Sequence, residues 1–80
     1  MTHGSLIEAN DSALIVVDVQ KTFIGKLTEI ERQPMINRIC WIISVTDWLG
    51  IPIIVTAEDI PRLGGVAPDV LSRLPENTKV

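Results

Sequence analysis

The stretch Ala13-Leu14-Ile15-Val16-Val17-Asp18 constrains the fold more than any other part of the chain. It is an unbroken apolar run rich in β-branched residues, too short for a typical helix and without polar–apolar alternation. Such a run predicts a strand buried on both faces, as in a parallel sheet covered by helices. The run ends abruptly in a carboxylate. In open parallel α/β sheets, ligands bind beyond the carboxyl ends of the strands, which makes Asp18 a candidate functional group. The same position also suits an aspartate that only caps the turn after a strand, and position alone does not separate the two.

The rest of the chain builds on that strand. Residues 1–12 read as a polar lead-in, closed by the turn-forming Asn10-Asp11-Ser12. Residues 13–80 read as the N-terminal part of a single domain. The segment Val19 to Arg32 has no sustained periodicity and is expected to be a loop with at most one short turn. Gln33-Pro34 opens the main helix, because proline is favoured in the first helical turn. The helix is predicted over 34–49, with Gly50 as its stop. At 100° per residue, Met35, Ile36, Ile39, Ile42, Ile43, Thr46 and Leu49 share an apolar face suited to lying on a sheet. Trp41 and Trp48 fall on the opposite side and need a cover of their own. A terminal element of the same domain would serve, and so would a subunit interface, where tryptophan is enriched.

Ile51-Pro52-Ile53-Ile54-Val55-Thr56 is the second predicted strand, with proline at its start where a missing N–H is tolerated. Strand, helix and strand form a βαβ unit, so the two strands are expected to be parallel and Thr56 to lie at the same end as Asp18. Ala57 to Val66 is expected to be a loop, Pro68 to Leu74 a short helix, Pro75-Glu76-Asn77 a turn, and Thr78-Lys79-Val80 the start of a third strand.

Composition sets the scale. The hydrophobic share is 46% of 80 residues and the mean hydropathy is +0.32, more apolar than so small a domain needs for its own core. The expectation is a larger domain of which this is the first βαβ portion. A net charge of −3 gives no basic footprint for nucleic acid or an anionic membrane. The lone Cys40 cannot form an internal disulfide, no secretory signal is visible, and a cytoplasmic location is expected. No apolar run approaches the ~20 residues that span a bilayer.

The usual phosphate-cradling glycine loops and the GxSxG nucleophile elbow are absent. Phosphoryl transfer through Asp18 would need a second acid two residues on, where Gln20 stands. Glu58 and Asp59 are adjacent and point differently, and His3 lies in the lead-in, so no metal site and no cofactor are expected. Taken together, the apolar strand followed by Asp18-Val19-Gln20-Lys21-Thr22-Phe23, the long helix and the Gly50-x-Pro52-x-x-x-Thr56 strand resemble the isochorismatase-like cysteine hydrolases. The resemblance implies a three-layer α/β/α sandwich with Rossmann-like topology around a parallel sheet. It implies hydrolysis of a small amide or carbamoyl-type substrate by a cysteine thiolate, with Asp18 as general base and Gln20, Phe23 and Thr56 bordering the pocket. The family's lysine follows the third strand and its cysteine opens a later helix. Lys79 and Cys40 match neither, so the 80-residue chain alone is expected to be inactive, and a homo-oligomer is expected for the intact protein. Ala57-Glu58-Asp59-Ile60 lacks the histidine of the metal-binding nicotinamidase branch. The alternative is a non-catalytic α/β fragment or an oligomerisation or interaction protein working through the Trp41/Trp48 face.

Overall fold

A computed structural model describes residues 7–76 and Thr78. A single 3-10 turn, Ala9–Asp11, leads into strand β1, Leu14–Val17. Helices α1, Lys21–Gly25, and α2, Glu29–Trp48, carry the chain to strand β2, Ile53–Thr56. Two short helices follow, α3 at Ile60–Leu63 and α4 at Pro68–Leu71. The strands are parallel, with Leu14 opposite Ile53 and Val17 opposite Thr56. This is the α/β architecture with a parallel sheet that the sequence predicts, and the described residues supply the first βαβ portion of such a sandwich.

One face of the sheet makes the core. Val16 and Val55 meet Ile36 and Ile43 of α2, Ile24 of α1, and Val66, Ala67 and Val70 around α4. The other face is bare. Ile15 is 55% exposed, Val17 62% and Ile54 50%, because strand side chains alternate faces and α2 covers only one of them. The expectation of a strand buried on both faces is therefore corrected for the described residues. The molecule is correspondingly open: its radius of gyration is 14.2 Å, against about 12 Å for a compact domain of this length.

The main helix begins five residues before the predicted Pro34. Thr28 is its N-cap: Thr28 Oγ1 accepts from Glu31 N at 3.3 Å, and Glu31 Oε1 accepts from Thr28 N at 3.2 Å. This reciprocal pair satisfies two of the backbone donors that a helix start leaves free. Pro34 sits inside the helix, where its missing N–H leaves the exposed Ile30 carbonyl to water. The helix stops as predicted at Gly50, whose φ of +73° suits glycine. Gly50 N and Ile51 N donate to the carbonyls of Asp47 and Thr46, both at 3.0 Å, closing the free carbonyls of the last turn.

Ile36, Ile43 and Thr46 of the predicted apolar face are buried, whereas Met35, Ile42 and Leu49 are 42%, 42% and 48% exposed. Two strands and α4 are too narrow to cover the whole stripe. Trp41 and Trp48 lie on the opposite side, 66% and 83% exposed. Two predicted loops contain helices: α1 falls within Val19 to Arg32, and α3 within Ala57 to Val66. The helix predicted over 68–74 ends at Leu71. Thr78 N donates to Pro75 O at 3.0 Å, which is a turn; Lys79 and Val80, and with them the proposed third strand, lie outside the described residues. So does His3.

Candidate functional site at the carboxyl end of the sheet

Parallel pairing brings Val17 opposite Thr56, so the residues that follow the two strands emerge side by side. Asp18 leaves β1 in the left-handed conformation, φ +52°, which few residues other than glycine, asparagine and aspartate adopt. Its N–H is shared between Thr56 O at 3.1 Å and Thr56 Oγ1 at 3.2 Å. The Thr56 hydroxyl in turn donates to Asp18 Oδ1 at 3.1 Å. The carboxylate is half-buried and held by the Thr56 hydroxyl. A half-buried carboxylate with free oxygen lone pairs at a strand end can accept a proton from a nearby attacking group.

Gln20 is fully buried and faces inward. Its Nε2 donates to Glu58 O at 2.8 Å and Gly64 O at 2.7 Å, and its Oε1 accepts from Glu58 N at 2.9 Å. Both amide protons are thereby committed to backbone. Phe23 is half-buried on α1, with Lys26 Nζ 5.6 Å from its ring centre, within cation–π reach. Of the four residues proposed from sequence, the structure thus links Asp18 directly to Thr56, sets Gln20 into the adjoining loop, and places Phe23 on α1 beneath a lysine.

Sequence reasoning missed how residues 64–67 return to the site. Lys21 N donates to Gly65 O at 3.1 Å and Ala67 N to Val19 O at 2.9 Å, making an antiparallel bridge between Gln20 and Val66. Gly64 permits the approach: at its φ of +79° an added Cβ would stand 3.2 Å from Lys21 Cβ. The Gly64-Gly65 pair was the available signal, since paired glycines mark close backbone approach.

Cys40 lies elsewhere. It lines a groove of about 600 Å³ between α2 and α4, together with Asn37, Trp41, Asp69 and Arg73, and its Sγ donates to Asp69 O at 3.4 Å. Among the described residues no three of His, Cys, Asp and Glu converge as metal ligands do; Asp59 instead pairs with Arg62 at 3.3 Å. No helix among the described residues is long and apolar enough to cross a membrane.

No family model and no curated protein matches the chain. A solved structure does: the MAR1 ribonuclease from Caenorhabditis elegans, with a TM-score of 0.74 and 33% identity over 90% of this chain. The chain spans 36% of the length of that protein. The fold therefore resembles part of a protein that is named a ribonuclease. This corrects the expectation of an isochorismatase-like cysteine hydrolase. The physical reason is visible in the motif positions. Gln20 ties backbone, Gly50 supplies a left-handed helix stop, and Thr56 holds a strand end, so these residues build a βαβ turn and do not by themselves specify a chemistry.

Proposed function

We propose that the protein is a hydrolase whose reaction centre lies at the carboxyl end of the parallel sheet, with Asp18 as general base. The observation that carries this reading is the left-handed, half-buried Asp18 held by Thr56 Oγ1 at 3.1 Å. An L-residue kept in that conformation costs free energy, and such strain concentrates where geometry matters for function. Thr56 orients the carboxylate; Asp18 takes the proton from the attacking water or thiol as it bonds to the substrate. The cysteine Cys40 lines the groove between the helices, so a thiol attack would need a sulfur from outside these residues. The chain of 80 residues alone is therefore proposed to be inactive in that chemistry.

Two substrate classes follow from different observations. The net charge of −3 disfavours a polyanion and fits a small neutral substrate such as an amide or carbamoyl compound. The likeness to a protein named a ribonuclease favours an RNA phosphodiester. The test is to assay the protein, at the length its cell makes, against a panel of small amides and a single-stranded RNA, with Asp18→Asn alongside. Turnover in one class, lowered at least about 100-fold in the variant, is expected for a general base. Turnover unaffected by the variant, or none in either class, overturns the reading.

A further inference from the structure

We propose that Gln20 is a positioning residue: its side-chain amide latches the segment from Glu58 to Gly64 closed beside Asp18. The inference rests on the reading of the strand end as the site, and adds the element that shapes its wall. Segment 58–64 contains α3 and leaves β2 immediately after Thr56. Helix α3 packs against α1, and the side chains of Ile60 and Arg62 are exposed, Arg62 at 80%. Both of its ends nevertheless meet on one side chain. Gln20 Nε2 reaches the carbonyls of Glu58 and Gly64, and Gln20 Oε1 takes the Glu58 N–H.

The arrangement demands two donors and one acceptor within a single flat group at this reach. A glutamine supplies that set; asparagine is too short, glutamate ionised has no donor, and lysine has no acceptor. Burial raises the stakes, since the side chain is fully enclosed and each carbonyl it serves would otherwise lose its partner. The latch residue is also tied to Asp18 through the main chain. Gln20 N donates to Asp18 O at 2.8 Å, so the residue that closes the segment is bonded through its backbone to the residue proposed as base. Asp18, Gln20 and Thr56 thus fix where the wall stands before any substrate arrives, which is preorganisation of the kind that lowers the cost of binding.

Limited trypsin digestion of the purified chain reads the latch without requiring any activity. Arg62 lies within the segment and is the reporting bond; Arg38, in the middle of α2, is the internal control. In the native chain cleavage after Arg62 is expected to be slow. Gln20→Glu keeps the acceptor for Glu58 N and sets a carboxylate against two carbonyls, so cleavage after Arg62 should rise roughly tenfold or more with the Arg38 rate unchanged. Gln20→Leu, which lacks all three bonds, should do the same. A second readout separates latching from mere packing. On acidification the Gln20→Glu carboxyl gains a proton and one donor, so the Gly64 amide signal in an NMR spectrum should return towards its native position, while that of Gln20→Leu should not. Unchanged Arg62 cleavage in both variants overturns the proposal. So does an equal rise at Arg62 and Arg38, which would make Gln20 a general core residue. Loss of the latch in these variants, together with no turnover of either substrate class by the protein at the length its cell makes, would refute the reading of Asp18 and leave that of Gln20 standing.

Discussion

Asp18 pays for its place in backbone conformation, and that cost separates what the side chain does for folding from what it does for chemistry. At φ +52° asparagine is tolerated as well as aspartate, and glycine better than either. Asp18→Asn keeps an oxygen for the Thr56 hydroxyl and should change stability by no more than about 0.5 kcal/mol. Asp18→Gly loses that bond but relieves strain, so its thermal midpoint should stay level or rise. Both variants should abolish proton acceptance at the site. If thermal unfolding shows either variant strongly destabilised, Asp18 is a cap and its structural role outweighs any chemical one. The sequence announced Asp18 because an acid directly after an apolar strand falls where ligands bind in parallel α/β sheets. It could not announce the left-handed backbone or the Thr56 bond, since those depend on which strand pairs alongside. Gln20 was legible as a polar residue near the site, yet its three bonds go to two residues 38 and 44 positions away, beyond any local pattern.

At the scale of the element, α2 shows two local signals in competition. Proline favours the first turn, which drew the predicted start to Pro34, whereas Thr28-x-x-Glu31 is a reciprocal cap that starts the helix earlier. The cap prevails because it satisfies backbone donors, while one missing N–H at Pro34 costs a single bond next to solvent. Pro34→Ala should therefore stabilise the chain by about 1–2 kcal/mol, read as a higher urea midpoint. Thr28→Ala should cost about 1 kcal/mol. The cap also carries a pH dependence. The Thr28 hydroxyl, and then its backbone N–H, hold the Glu31 carboxyl below the ordinary glutamate value. A lowered folded-state value means that the unfolded chain binds the proton more readily. The contribution is thus fully present above the ordinary glutamate range and is lost as pH falls through the folded value. Helix content followed from neutral to acid pH should decline in that window, and Glu31→Gln should remove that part of the decline.

For the whole molecule, the deciding fact is how much apolar surface the two-stranded unit leaves open. The alternation along β1 and β2 was illegible in a run where every residue is apolar: the sequence states that Ile15 and Ile54 can be buried, and only the third dimension states that these residues lack a cover in the described chain. Two separate surfaces result, the sheet face of Ile15, Val17 and Ile54 and the α2 stripe of Trp41 and Trp48, all at least half exposed. They make opposite demands on a test. Ile15 and Ile54 are a cross-strand pair, so replacing both by threonine keeps β-branching while removing apolar area. Neither is buried in the described chain, so the 80-residue chain should lose less than about 1 kcal/mol of stability, and sedimentation velocity reads whether self-association changes. Trp41→Ala with Trp48→Ala removes far more apolar area from the helix side, and should likewise leave circular dichroism and the thermal midpoint nearly unchanged. If the tryptophan pair is the seam of the expected homo-oligomer, that double variant dissociates the assembly and the isoleucine pair does not. If the sheet face is the sticky surface, the order reverses. A fall of many degrees in either double variant would show that the face concerned is covered in solution, and that the packing there contributes to the core.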